Sequence, residues 1–422
     1  MTSHSDLLVI GAGAKAAALA AKAHVLNTLG LASLTLTIVE SLEPAASWLG
    51  RNGATSGEEP LALPPVKDVG FPYQSRRSFD GSGDAVDQCM LSFSWQSYLL
   101  HDGRYARWVD AGSPAVSHAD YGRYLAWVLS HATAGVRLQR GRVERVLLEP
   151  GAVDWRVQVG EEILTARSLV LTGPGLQATL PHDEAVASRM LQSSGPRASF
   201  EAIPPESGCE VALVGGGDSA IACVAYLLAL RPRARLTVYT PELPSGRGES
   251  FLENRVFSTP EEVSWSALSL QQRHAFVRRC DRGVFDPLAL SEISFDERCS
   301  FVRGRVTSLV SVQEGDRIGV RHTGGEMGIH DFVVNCTGAD MRAQVEQLLA
   351  VEVREEVAQR IGVAWEQALG PDARFGHALE LPGLDPSLHI PALAALSQGP
   401  GFANLGCLGT LANRVLETLA KR

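Results

Sequence analysis

Two short glycine-rich stretches are the parts of this sequence whose residue types and spacing can do chemistry. Gly11-x-Gly13-x-x-Ala16 and Gly215-x-Gly217-x-x-Ala220 each follow an apolar run and lead into a helical pattern. In such a unit the first glycine permits a tight turn, the second lets the backbone approach a pyrophosphate, and the small third residue allows helix and strand to pack closely. The phosphates rest on the helix N-terminus, where free N–H groups and the dipole favour negative charge. Two dinucleotide-binding units are implied. The seven cysteines (Cys89, Cys209, Cys223, Cys280, Cys299, Cys336 and Cys407) include no CxxC pair and are expected to be reduced and structural. The eleven histidines never fall at HExxH or another zinc spacing, so no metal site is expected.

The elements that must position these turns follow from the apolar pattern. Residues 7–10 read as a buried strand, an alanine-rich helix follows, and a second strand over 34–39 ends in Glu40, placed to bind the ribose hydroxyls of an adenosine. In the second unit residues 211–214 form the strand, Asp218 and Ser219 open the helix, and the strand over 236–239 ends in Tyr239-Thr240 without an acid. With Arg247 nearby, that end suits the 2′-phosphate of NADPH, although Glu242 is a competing signal. Strands are also predicted over 143–148, 155–159, 164–171, 305–312, 318–322 and 332–335. Thr172-Gly173 after the third of these is the kind of turn where an FAD-binding unit closes on its cofactor, and Thr337-Gly338 after the last mirrors it. Helices are predicted over 89–100 and 118–132. In the latter Tyr121, Tyr124 and Trp127 recur at helical spacing as a core stripe. The long irregular segment 41–73 contains Trp48 and the pair Lys67-Asp68, and loops of this length are usually functional or disordered.

At 422 residues two or three domains are expected. Pro204-Pro205 with Ser207-Gly208 suggests a boundary, so the reading is a first dinucleotide domain over 1–203, a second over 204–335 with a substrate-facing, mostly helical insertion near 245–300, and a return to the first over 336–422. The fold class is α/β with two Rossmann-like domains. Apolar content of 45% and charge of 20% describe a soluble globular chain, and a net charge of −9 argues against a nucleic-acid surface. No basic segment precedes the first apolar run and no apolar stretch is long enough to span a bilayer, so a cytoplasmic protein without membrane contact is expected.

Taken together, GAGAKAAALAAKA at the start, VKDVGFPY at 66–73, FSWQSYL at 93–99, VGGGDSA at 214–220, RGESFLENRVF at 247–257, DRGVF at 281–285 and QGPGFANLGCLG at 398–409 resemble the flavin-dependent N-hydroxylating monooxygenases, and within them the mycobactin-type lysine N6-hydroxylases. The resemblance spans nearly the whole chain. It implies FAD and NADPH as cofactors, molecular oxygen as co-substrate, and hydroxylation of the side-chain amine of lysine through a C4a-hydroperoxyflavin for siderophore synthesis. Ornithine or a diamine is the alternative substrate, and a flavin-binding protein without turnover the alternative of another class. A disulfide reductase would need CxxC, and a Baeyer-Villiger or sulfur-oxidising flavoprotein would leave Lys67-Asp68 and the Asn254 segment unexplained.

By position, the resemblance assigns Lys67 to the carboxylate of the amino acid and Asn254 to the substrate between flavin and nicotinamide. Asp281 stands where ornithine hydroxylases carry an asparagine, and we expect it to bind the α-ammonium. Trp48, Asn404 and Gly409 join Gly11, Gly13, Ala16, Glu40, Thr172, Gly173, Gly215, Gly217, Asp218, Ser219, Ala220, Arg247, Thr337 and Gly338 as cofactor contacts. Gly409 replaces a serine of many relatives, and Ala339 a tyrosine. A homo-oligomer is expected. From residues alone, Lys67-Asp68 can also be a solvated loop pair, Asn254 a turn cap, Asp281 an ion-pair partner of Arg282, and the two threonines simple turn residues.

Overall fold

Each glycine turn follows a strand of a five-stranded, all-parallel sheet. The computed structural model describes residues 4–52, 55–79, 81–195, 197–205, 208–242, 251–280, 287–312 and 316–421. In the first sheet the order is Ser387–His389, Ser168–Leu171, Leu7–Ile10, Leu36–Glu40, Val136–Arg140. Leu7, Leu8 and Val9 are fully buried, as expected of a parallel strand covered on both faces. The helix Ala14–Thr28 is buried around most of its circumference, since helices His118–His131 and Leu408–Ala420 also pack on it. Its many alanines allow that crowding.

The second sheet has the order Met190–Gln192, Phe332–Asn335, Glu210–Val214, Arg235–Thr240, Cys299–Arg303. A three-stranded antiparallel sheet, Val306–Val312, Arg317–His322 and Gly328–His330, buries Leu309, Ile318 and Val320 against Val214, Tyr239 and Val333. Met190–Gln192 lies ahead of the boundary expected at 203/204, so the chain enters the second sheet earlier than its proline pair suggests. It leaves and returns along one ribbon, in which Leu176–Gln177 pairs antiparallel with Ala339–Asp340.

Two predicted elements divide. The apolar run 164–171 is two strands: Glu162–Ala166 buries Leu164 and Ala166 in a mixed sheet, antiparallel to Trp155–Val159, whereas Ser168–Leu171 is buried throughout in the parallel one. Arg167 N–H donates to Ser5 O at the switch. The pattern over 89–100 breaks because Ser94 Oγ accepts from Ser97 N–H and caps a new helix, Trp95–His101. Helices Met341–Leu348, Val351–Ile361 and Pro391–Gln398, and the edge strand Ser387–His389, were not anticipated.

The insertion belongs to the second unit by sequence and to the first by contact. Trp265 Nε1 donates to Leu396 O at 3.1 Å, and Arg414 of the C-terminal helix pairs with Glu261. A Cβ on Gly401 would lie 1.9 Å from Phe257 O, so only glycine lets the helix Phe251–Ser258 approach this closely. Arg247 and Asp281 lie outside the described residues.

Lys22, on the inner face of the first helix, is fully buried; its Nζ donates to Ser75 Oγ at 2.7 Å and lies 3.9 Å from Asp87. Burial lowers its pKa from 10.5 to about 8. The folding penalty of this depressed base is fully present below pH 8 and is relieved as pH rises toward 10.5, where the unfolded chain also loses the proton. Asp87→Asn should therefore destabilise the fold by about 3 to 5 kcal/mol at pH 7 in urea unfolding, and by less at pH 9.

Candidate functional site

The front of the first glycine turn is open and its back is closed. Gly11 has φ +96°, and a Cβ there would lie 2.7 Å from Thr172 Oγ1, whereas a Cβ on Gly13 would meet nothing within 4 Å. Gly13 caps the helix with no side-chain bond, leaving the helix N-terminus to a ligand. Thr172 Oγ1 donates to Ile10 O at 2.8 Å and braces the turn from behind, with Gly173 facing Gln344. Ala16 is fully buried. Glu40 is engaged within the fold: its Oε2 accepts from Ala12 N–H and its Oε1 from Leu42 N–H, both at 2.9 Å. The carboxylate thus staples the turn to the next loop, and its remaining lone pairs can accept from hydroxyls. Trp48 joins an aromatic cluster, edge-on to His118 at 5.2 Å and to Tyr121 at 5.5 Å.

Lys67 and Asn254, 187 residues apart in the chain, meet: Lys67 Nζ donates to Asn254 Oδ1 at 2.8 Å. The ammonium also lies 5.6 Å from the centroid of the Phe71 ring. Its neighbour Asp68 is not solvated but almost completely buried. Asp68 Oδ1 accepts from Gly70 N–H and from Tyr73 O–H, and Oδ2 from Trp95 N–H at 3.0 Å. Burial outweighs these bonds and raises its pKa to about 6. Since this exceeds the unfolded 3.8, folding favours the protonated form; that share of stability is fully present below pH 3.8 and is lost as pH rises through about 6. Tyr124, in the core stripe, donates to Phe93 O at 2.8 Å and accepts from Val69 N–H at 3.2 Å. The stripe is core, and its hydroxyl also anchors the loop that carries Lys67.

The loop before the C-terminal helix closes this region. Asn404 Oδ1 accepts from Gly406 N–H at 2.7 Å. Gly409 N–H donates to Phe71 O, and a Cβ there would lie 2.1 Å from Gly70 O, so a larger residue has no room without moving the Lys67 loop.

The second turn has the same plan with different parts. Gly215 has φ +145° and a Cβ there would sit 2.1 Å from Cys336 O; Gly217 caps the helix Asp218–Leu230, Asp218 is exposed, Ser219 half-buried and Ala220 buried. Pairing Ile10 with Leu171 and Val214 with Asn335 makes Cys336, not Thr337, the counterpart of Thr172. The two Thr-Gly turns are therefore offset by one residue, and Thr337 Oγ1 turns to Asn335 Oδ1 at 2.7 Å, with Gly338 at φ +93° beyond it. Thr240 is buried and donates to Glu242 O. Directly across from it in register stands Arg303, exposed at the end of the next strand. Sequence reasoning missed Arg303, since only strand pairing brings it to Thr240. It also passed over Lys15, a cation inside the first fingerprint. The cavity of 580 Å³ beside Tyr73, Arg76 and Asp87 contains no glycine-turn residue.

Residues 88–294 match the family described as L-lysine 6-monooxygenase/L-ornithine 5-monooxygenase. The chain is 35% identical to the L-lysine N6-monooxygenase MbtG of Mycolicibacterium paratuberculosis over 98% of its own length and 95% of that protein's. It is 35% identical to MbtG of Mycobacterium tuberculosis over 97% and 94% of the two chains. Among solved structures, the lysine monooxygenase NbtG of Nocardia farcinica aligns with a TM-score of 0.81 at 33% identity, covering 98% of this chain and all of that one (100%). The ornithine N-hydroxylase KtzI of Kutzneria sp. 744 aligns with a TM-score of 0.75 at 18% identity over 99% of each chain, a likeness of fold.

Removing the Tyr124 hydroxyl would leave Val69 N–H and Phe93 C=O short of a partner. Tyr124→Phe should cost about 1 to 3 kcal/mol in chemical unfolding while leaving the helix content measured by circular dichroism unchanged.

Proposed function

This chain belongs to the L-lysine 6-monooxygenase/L-ornithine 5-monooxygenase family, and on that premise we propose that it hydroxylates the side-chain amine of L-lysine for siderophore synthesis, using NADPH, FAD and oxygen. The observation that carries the choice of an amino acid is the Lys67–Asn254 contact, which joins an ammonium and an amide from two distant segments. A cation in that position matches an α-carboxylate.

The residues fit the cofactors. FAD would lie on the open front of the Gly11–Gly13 turn with its pyrophosphate at the N-terminus of Ala14–Thr28, and NADPH on the Gly215–Gly217 turn. When bound, FAD supplies the oxygen-activating chemistry. The protein's part is to bind and orient. Lys67 holds the carboxylate, Asn254 lines the site, and Asp68 keeps the Lys67 loop in place through its three hydrogen bonds. Attack by an amine needs its free base, and a carboxylate beside it would favour the ammonium. Asp281 is accordingly assigned to the α-ammonium end of the substrate. Arg303, with Arg247, is assigned to the 2′-phosphate of NADPH, since Thr240 is turned inward to Glu242 O.

The test is hydroxylamine formation with NADPH and a panel of L-lysine, L-ornithine and a diamine. Lysine should give the highest kcat/KM; no hydroxylamine from any amine, or a clear preference for ornithine, would overturn the proposal. Lys67→Ala should raise KM for lysine by about ten- to a hundredfold and leave KM for the diamine nearly unchanged, because only the amino acid loses a charged partner. Arg303→Ala should lower kcat/KM for NADPH by about tenfold and spare NADH, measured by the rate of flavin reduction.

A further inference from the structure

The first glycine turn contains a cation that the fingerprint does not require. Lys15 is the second residue of the helix Ala14–Thr28, its side chain is 9% exposed, and its Nζ donates to Ala403 O at 3.0 Å and to Thr172 O at 3.3 Å. One carbonyl, of Thr172, directly follows the strand Ser168–Leu171, and the other belongs to the loop that leads into the C-terminal helix. The two carbonyls solvate the ammonium without neutralising it. No carboxylate among the described residues pairs with it, and its electrostatic neighbour is the buried Cys407 thiol.

The same helix provides the contrast. Lys22, two turns further along, is fully buried but has Asp87 as a counter-charge. A buried ammonium without such a partner is costly, and here the positive end of the helix dipole adds to the cost. Burial lowers the Lys15 pKa to about 8, so the group is still mostly charged at neutral pH. Lys15 stands two residues after Gly13, whose open face lies at the same helix N-terminus.

We infer that Lys15 is the counter-charge for an anionic group of bound FAD, either its pyrophosphate or the isoalloxazine ring in its reduced, anionic form. This rests on the reading that the first turn binds FAD. In that role the lysine is destabilising in the flavin-free chain and stabilising in the complex. A lysine that served only to tether residue 403 to residue 172 would stabilise both.

Lys15→Met removes charge and donors, whereas Lys15→Gln keeps a donor for a carbonyl and removes only the charge. FAD affinity, the flavin midpoint potential, and thermal midpoints with and without saturating FAD are measured for both variants and the wild type. Both variants should bind oxidised FAD about ten- to a hundredfold more weakly, which identifies the pyrophosphate. Unchanged affinity with a lower midpoint potential identifies the reduced ring instead. In either case the thermal midpoint of the flavin-free chain should not fall. Wild-type affinity and potential in Lys15→Gln would overturn the inference and leave a tether, and this variant decides the matter if Lys15→Met does not fold. A wild-type chain that binds no FAD would overturn the functional reading together with the inference.

Discussion

A buried carboxylate has to be surrounded by hydrogen-bond donors, and in this molecule that requirement shapes the site. Asp68 collects N–H groups from Gly70 and Trp95 and the hydroxyl of Tyr73. To supply them, the 66–73 loop must fold back on itself and the helix Trp95–His101 must start against it. Gly70 follows from this geometry, because a Cβ there would lie 2.5 Å from the Tyr73 ring. Gly409 follows in turn, since the C-terminal helix begins on the carbonyls of Gly70 and Phe71. Lys67 is presented by a loop that these hydrogen bonds tie down.

The second constraint is the placement of the insertion. Residues 251–280 lie in sequence between two strands of the second sheet, yet their polar contacts run to the first unit. Glu262 takes Arg77 as well as Arg255, Glu261 takes Arg414, and Arg273 donates to the carbonyls of Leu396 and Ser397. Arg414 is itself almost fully buried and lies 4.6 Å from the centroid of the Phe402 ring. Breaking such a buried pair strands a charge, which is why the helix bearing Asn254 stays aligned with the loop bearing Lys67. The two halves of the candidate substrate site are thereby both packed on the first unit, while the second glycine turn opens on a separate sheet, which the chain enters and leaves along a two-stranded ribbon.

Much of this was legible in the residues. The two glycine turns, their flanking strands and helices, and the core role of Tyr121 and Tyr124 all follow from local rules: period, turn chemistry and small residues at close approaches. The resemblance drawn from the motifs named the family to which the chain belongs. What local rules could not supply was pairing. Nothing in 164–171 tells that one apolar run serves two sheets, that Met190–Gln192 joins the second sheet ahead of the proline pair, or that Cys336 and not Thr337 backs the second turn.

The candidate site divides in the same way. Residue type and order alone determined that the chain binds dinucleotides in tandem, because a glycine turn is a local solution to a local steric problem. Lys67 and Asn254 could be singled out separately, but their contact across 187 residues, the burial of Asp68, the position of Arg303 opposite Thr240 and the enclosure of Lys15 between two carbonyls were decided only by tertiary structure. The reason is that electrostatics and desolvation depend on which atoms surround a group in space, and those atoms come from segments that a sequence window never holds together.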